Sequence, residues 1–560
     1  MSDDATNVTG NEELLFLPLG GAGEIGMNLN LYGYGQPGHA TWMMVDLGIT
    51  FGDGTHPGVD VIMPDPAYIE KHKDKLAGIV LTHAHEDHLG AVPYLWERFG
   101  CPIYATPFTV SIVQRKLAEV GLLDIVPIVE VPLNGTFKVG PFEIDLITLT
   151  HSIPEPNGMA IRTPLGTVLH TGDWKLDPDP VIGETYDMPA LRKLGDEGVL
   201  AIVCDSTNVF TPGTSGSEGD IYESMKKVVE GCEGRVVVTC FASNVARLDT
   251  ISRVAKAVGR EVVLAGRSFW RMIDAAKENG YLQDAPNFMD EDYFGDLPAD
   301  KVLLICTGSQ GEARAALARV AADEHPRIYL SRGDTVIFSS RQIPGNEVSI
   351  SRLQNRLVRR GIKLITDKDA FIHVSGHPAR DELLEMYQAV KPQIAIPVHG
   401  EIRHMTEHAS LARSAQVQET LINENGGMIR LAPGPAAIIE QVPSGRLALE
   451  GGRVVPLDGE LVRGRARAMF NGAATITIVI DKVGNSIGDP ILTTSGLLEP
   501  DDHDFEDDVL DAAEDAIERL SKKDRRKDDI VTEAVRLAVR RYFRSNFNKN
   551  AVTTVHLVRV

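Results

Sequence analysis

Several things are scarce in this 560-residue chain, and each scarcity excludes something. Cysteine occurs only at 101, 204, 232, 240 and 306, with no C-x-x-C pair. Scattered and odd in number, these residues read as buried thiols in a reducing compartment, not as disulfides or a sulfur metal site. No apolar run approaches the roughly 20 residues of a membrane span. Met1 to Glu13 is polar and acidic and lacks the basic-then-apolar layout of a signal peptide, so a cytoplasmic location without membrane attachment is expected. Positive charge is also short: the formal net charge is −22. That argues against loose, charge-driven binding of nucleic acid but leaves room for a confined basic channel. No internal repeat and no long low-complexity linker is evident. The remaining composition, 43% hydrophobic and 24% charged, is that of an ordinary globular chain long enough for three or four domains.

What is present is a dense ligand string, Leu81-Thr82-His83-Ala84-His85-Glu86-Asp87-His88. It follows the apolar segment Leu76 to Leu81. Imidazole and carboxylate suit zinc and manganese. Alternate residues of an extended backbone point the same way, so His83 and His85 can grip one ion. Asp87 and His88, turning into a helix, can grip a second. Two metals with a bridging water mean hydrolysis. One histidine alone would be unremarkable; four ligand-type residues in one string are not.

Further ligand types recur at apparent strand ends. His151 follows Ile147 to Thr150, Asp173 follows His170-Thr171-Gly172, and His399 follows Ile394 to Val398. With the first string they make five histidines and two aspartates, a sufficient inventory for two ions, and a carboxylate such as Asp173 can bridge both. Asp46 is placed to hold a ligand histidine from outside the coordination sphere. His170, inside its strand, reads as structural. Gly21-Ala22-Gly23-Glu24-Ile25-Gly26 matches a dinucleotide fingerprint, but that motif needs a following helix. Asn28 to Tyr32 alternates with period two, a strand pattern.

The first part of the chain reads as a β-rich α/β domain. From about Phe210 the style changes to helices (Ile221 to Cys232, Asn244 to Val258, Phe269 to Asn279) alternating with apolar strands (Arg235 to Cys240, Glu261 to Leu264, Val302 to Cys306). That is a doubly wound layout. Strand-end histidines resume after Ala370, so the second domain is read as an insertion into the first. The expected boundaries are 1–209 and 371–450 for the interrupted domain, 210–370 for the insertion, 451–472 for a linker and 473–560 for a small α+β domain.

This set of residues resembles the metallo-β-lactamase superfamily. Asp205, His377 in His373-Val374-Ser375-Gly376-His377, and His399 resemble the extra motifs of its β-CASP branch, whose members act on nucleic acids. Leu19 to Gly26, Phe241-Ala242-Ser243-Asn244, Thr307 to Glu312 and Ser340 to Glu347 are similar to strings of the bacterial ribonuclease J family. The resemblance spans roughly residues 14 to 450. Ala84 departs from the glycine common at that place, with no consequence for ligation.

The resemblance implies an αββα sandwich with an inserted β-CASP domain. It places one divalent ion on His83, His85, His151 and Asp173, and a second on Asp87, His88, Asp173 and His399, with zinc first and manganese or magnesium as alternatives. It gives Asp87, Asp205 and His377 catalytic roles and puts substrate phosphate against Ala242, Ser243, Asn244 and residues 373–377. Implied partners are single-stranded RNA, a second or fourth copy of the chain, and other RNA-decay proteins. Implied activity is 5′-to-3′ exonuclease and endonuclease action on 5′-monophosphorylated RNA, in RNA maturation and mRNA decay. Ser243 and Asn244 also read as a helix N-cap before Val245. Arg247, Arg253, Lys256, Arg267 and Arg271 read either as an RNA channel or as solvated helix faces. A small-molecule hydrolase of the same fold, a DNA-processing β-CASP nuclease and a non-catalytic RNA-binding subunit remain open at this stage.

Overall fold

The computed structural model describes residues 12–52, 54–343 and 345–560. Most of the acidic N-terminal stretch, and Pro344 of the Ser340 to Glu347 string, lie outside the described residues. The chain forms two compact units. The larger comprises residues 12–51 and 61–447 of those described, the smaller 52–60 and 448–560.

The larger unit is built on two facing sheets. One has eight strands, in the order 437–441, 427–432, 13–20, 29–35, 41–45, 76–80, 103–105, 128–130. The other has seven, in the order 136–139, 142–148, 157–163, 166–170, 201–205, 394–398, 419–420. Alternate residues of each meet in one core: Leu14, Phe16, Tyr32, Met43 and Val45 from the first, Ile144, Met159, Ile161, Val203 and Ile396 from the second. The outer face of the seven-stranded sheet is covered by helices Met188–Glu197, Arg380–Val390 and Ile402–Ser414, through Leu191, Leu194, Leu383, Met386 and Leu411. The Gly21 to Gly26 string is followed by strand Leu29–Gly35 and not by a helix, as the alternation implied.

The insertion leaves and re-enters between neighbouring strands. Ala201–Asp205 and Ile394–Val398 pair in parallel, from Ala201 with Ile394 to Asp205 with Val398. Between them lies a six-stranded, all-parallel sheet in the order 288–290, 261–265, 302–306, 236–239, 335–338, 363–365. Its central strands are continuous apolar runs such as Val302–Cys306, as parallel sheets buried on both faces require. Helices Ile221–Glu230, Val245–Ala257 and Arg267–Glu278 match the expected segments. Strands Thr335–Phe338, Lys363–Ile365 and Phe288–Asp290 were not expected. At three or four residues each, they are too short to show a period.

In the smaller unit, strand Ala473–Ile480 pairs antiparallel with Ile491–Ser495 and parallel with Val552–Arg559. Ile476, Ile478 and Ile480 face helices His503–Glu518 and Asp528–Phe547. The second helix presents Val531, Val535, Val539 and Phe543, an i, i+4 stripe. Residues 451–472, expected as a linker, instead hold strand Arg453–Pro456 and helix Glu460–Asn471. Glycines at 451, 452, 459, 464 and 472 hid this helix from composition. No helix among the described residues is long and apolar enough to cross a membrane.

Candidate active site

The ligand string begins where strand Leu76–Val80 ends. Asp46 anchors it, accepting from Thr82 N at 2.8 Å and from the Thr82 hydroxyl at 2.9 Å. His85 then stands, in extended conformation, at the N-terminal boundary of the short helix Glu86–Leu89, which carries Asp87 and His88. The helix is pinned from below. Asn28 donates to Asp87 O through its backbone N at 2.8 Å and its side-chain amide at 3.1 Å. Gly48 lies so close that a Cβ there would sit 1.7 Å from Asp87 O. His399 N donates to Gly21 O at 2.6 Å. The glycine-rich string therefore supports the site from behind. Asp46 and His399 adopt left-handed backbone conformations, φ 64° and 51°, uncommon for residues with a Cβ and concentrated at functional positions.

Two quartets of ligand-type atoms come together, His83, His85, His151 and Asp173, and Asp87, His88, Asp173 and His399. Within each, all ligand atoms lie within 4.8 Å of one another. These are the two sets expected from the sequence, and Asp173 belongs to both. A third group, Asp173, Asp205, His377 and His399, adjoins them.

The outward nitrogen of four histidines is already engaged. His88 Nδ1 lies 2.7 Å from Asp46 Oδ2. His399 Nδ1 donates to Thr207 Oγ1 at 2.9 Å, and the Thr207 hydroxyl donates to Asp205 at 2.7 Å. His151 Nδ1 donates to Gly376 O at 2.5 Å, and His83 Nδ1 meets the Thr82 hydroxyl at 3.0 Å. The opposite nitrogens turn inward. His83 Nε2 and His151 Nε2 lie 3.1 and 3.0 Å from His85 Nδ1. His88 Nε2 is 3.1 Å from Asp173, and His399 Nε2 is 3.2 Å from Asp87. One nitrogen fixed by the surroundings and the other presented inward is how metal-ligating histidines are oriented.

The charges fit a cation. Burial pushes His83, His85 and His151 below the ordinary imidazole range, His85 to about 4. These rings are neutral and free to ligate. Burial also works against ionised Asp87, Asp173 and Asp205, but the neighbouring histidines outweigh it and hold all three below the usual carboxylate range. Burial likewise opposes charge on His88 and His399; Asp173, with the other carboxylates, overrides it and raises both. Three neutral imidazoles stand beside ionised carboxylates whose charge the protons on His88 and His399 offset, a site where a divalent metal would take the place of those protons.

The 373–377 loop closes over one side. His377 Nδ1 lies 2.8 Å from Asp205 Oδ2, and its ring stacks on His399 with centroids 5.5 Å apart. Arg247 Nη1 donates to Ile372 O at 3.2 Å and to His373 Nδ1 at 3.3 Å. Val374 is buried, while Ser375 and Gly376 are half-buried. Asn244 accepts from Arg247 N at 2.8 Å, which is the helix-cap role. Ala242 and Ser243 are half-buried beside it. Arg247 belongs to neither class expected for the basic residues. It is fully buried and paired with Glu218 at 2.8 Å. Arg253 pairs with Asp249 at 3.3 Å and Arg271 with Glu119; Lys256 and Arg267 are exposed. His170 is structural, its Nδ1 2.9 Å from the Tyr32 hydroxyl. Thr207, Asn208 and Glu218 escaped the sequence reading. The polar run Asp205-Ser206-Thr207-Asn208 after an apolar strand was the available signal for the first two.

An αββα sandwich with a doubly wound insertion and a buried histidine–aspartate cluster defines a metal-dependent nuclease of the β-CASP type. Family models agree along the chain. A beta-lactamase superfamily domain matches residues 55–191, the ribonuclease J beta-CASP domain 233–357, a Zn-dependent metallo-hydrolase RNA specificity domain 361–422, and the ribonuclease J C-terminal domain 460–560. The ribonuclease J of Sinorhizobium meliloti is 46% identical over 552 residues, covering 98% of each chain. That of Mycolicibacterium smegmatis is 39% identical over 487 residues, 86% of each. A solved protein of unknown function from Enterococcus faecalis shares the fold at TM-score 0.50 and 16% identity, over 75% of this chain and all of that one. The chain belongs to the ribonuclease J family. It is a metal-dependent, RNA-binding hydrolase of phosphodiester bonds.

Proposed function

We propose that the chain holds two divalent ions, zinc first and manganese or magnesium as alternatives, in the two quartets that share Asp173. With them it degrades 5′-monophosphorylated single-stranded RNA from the 5′ end and also cuts internally. The observation that carries this reading is the pair of quartets flanked by the 373–377 loop. Divalent ions in such a site supply an activated water nucleophile and charge compensation at the phosphate.

The protein's own groups do the rest. Asp87, partly exposed, accepts a proton from the nucleophile. His377 donates one to the leaving oxygen through Nε2, while Asp205 holds its Nδ1. Burial opposes charge on this ring, but Asp205 overrides it and raises His377 above the ordinary imidazole value, which favours the protonated form that the role needs. The 373–377 loop, with Ala242, Ser243 and Asn244 at the rim, cradles the 5′ phosphate. A pocket one nucleotide from the reacting bond measures single residues, so mononucleotides are released in succession.

RNA carrying a 5′ monophosphate, triphosphate or hydroxyl, incubated with and without chelator and sized, tests the reading. Mononucleotides from the monophosphate substrate, abolished by chelator, are expected. Equal products from all three ends, or persistence under chelator, would overturn it. We further propose a cytoplasmic homodimer or homotetramer, with residues 473–560 at an interface and other RNA-decay proteins as partners. Light scattering on a chain ending near Pro456 checks the interface: an unchanged assembly counts against it.

A further inference from the structure

Ser375 Oγ is held from two sides. Asn208 Nδ2 donates to it at 2.6 Å, and His377 N donates to it at 3.3 Å. The same Nδ2 donates to His377 O at 3.0 Å. A carbonyl oxygen only accepts, so this contact fixes which end of the Asn208 amide faces the loop. A serine hydroxyl has two lone pairs and one proton. Both lone pairs are occupied, so the remaining O–H is directed to another acceptor. Ser375 is half-buried and open to a ligand.

We infer that Asn208 makes Ser375 an obligate hydrogen-bond donor and thereby sets the preference for a 5′-phosphate end over a 5′-hydroxyl end. This rests on the reading above that the 373–377 loop holds the terminal phosphate. The chemistry favours an anion. A hydrogen bond to an ionised phosphate oxygen is roughly twice as strong as one to a neutral hydroxyl. A hydroxyl free to rotate would accept from a 5′-OH as readily as donate to a phosphate; one already accepting twice cannot. The location explains why one turn holds both functions. Asn208 follows Thr207, whose hydroxyl joins Asp205 to His399. The metal side and the phosphate loop are thus set by adjacent residues after strand Ala201–Asp205. Asn208 is a positioning residue, since it acts through Ser375.

Asn208→Asp is the test, being isosteric but able only to accept. It draws the Ser375 proton inward and adds a negative charge. On 5′-monophosphate RNA, kcat/KM is expected to fall by about tenfold to a hundredfold, the scale of a charged hydrogen bond. On 5′-hydroxyl RNA the loss is smaller, so the ratio of the two rates drops, and bound metal is unchanged. Asn208→Ala, which removes the donor without adding charge, gives a smaller loss of the same selectivity. Ser375→Ala loses the same preference, and Asn208→Ala combined with Ser375→Ala is no worse than Ser375→Ala alone, because both act through one hydroxyl. Equal losses on both substrates, or additive losses in the double variant, overturn the inference. Retained discrimination in Asn208→Asp does so too. Wild-type enzyme that cuts both ends equally removes the underlying reading of the loop, and the inference with it.

Discussion

The larger unit contains two parallel arrangements that use their strand ends differently. In the sandwich, strands Gly166–His170, Ala201–Asp205 and Ile394–Val398 run side by side. Their carboxyl ends deliver Asp173, the Asp205 to Asn208 turn and His399. In the insertion, strands Val236–Thr239, Val302–Cys306 and Thr335–Phe338 do the same. Their ends deliver amides, hydroxyls and one buried guanidinium. Gln310 accepts from Ile343 N at 3.0 Å and donates to Arg341 O at 2.9 Å, tying the Thr307 to Glu312 and Ser340 to Glu347 strings together. Arg247 binds Ser339 Oγ at 2.7 Å and Glu218 at 2.8 Å. Ligand sites in α/β sheets form beyond the carboxyl ends of strands. The sandwich gathers groups that titrate and ligate, the insertion mostly groups of fixed proton state. One edge is built for chemistry and the other for position.

Breaking the chemical edge has the largest expected effect. Asp173→Ala removes the only carboxylate common to both quartets. Ribonuclease activity should fall by about a thousandfold or more, the scale of losing a major electrostatic stabiliser, with bound metal lost in elemental analysis. Near-normal turnover would mean the quartets are not the reacting site. Breaking the positioning edge costs stability first. Arg247→Met strands the Glu218 carboxylate, which is only 1% exposed. A loss of about 3–5 kcal/mol is expected, read as a lower urea midpoint, and Glu218→Gln should restore much of it. An unmoved midpoint would show that the buried pair does not hold the insertion.

A third test sharpens the contrast through pH. His408 is buried between Ser206 Oγ at 2.8 Å and the Tyr387 hydroxyl at 2.7 Å. Burial holds it down to about 4. Its unfolded value is near 6.5, so on acidification the unfolded chain takes up the proton first. The stability it contributes is complete above about pH 6.5 and declines towards pH 4, by about 3 kcal/mol. His408→Gln should flatten that part of the stability profile of the metal-free protein; an unaltered slope refutes the assignment. The smallest effect concerns support of a ligand. Asp46→Asn, which weakens the hold on His88 Nδ1, should lower metal affinity by about tenfold to a hundredfold, measured by competitive metal titration. Wild-type affinity would remove Asp46 from the site's support.

The chemical edge was more legible in the sequence than the positioning edge. His83 to His88 is contiguous, and His151, Asp173 and His399 each follow an apolar strand. Residue type alone marks them. Arg247 shows the opposite case. Its helical position resembles Arg253 six residues later, yet one is sealed against Glu218 and the other faces solvent. A sequence records that both are basic, not which side of the helix finds a buried partner. The helix Glu460–Asn471 was hidden by glycines, and short strands such as Lys363–Ile365 by length.

Sequence by itself determined the ligand types, the strand-end spacing and the interruption of one domain by another. Those follow from local chemistry and periodicity, which the order of residues carries directly. Tertiary structure alone decided that Thr207 and Asn208 divide one turn between His399 and Ser375, and that Arg247 is an internal brace. These depend on contacts between residues up to 192 positions apart, such as Thr207 with His399. Only the packing of two sheets and the return of the chain from its insertion bring such residues within hydrogen-bonding distance.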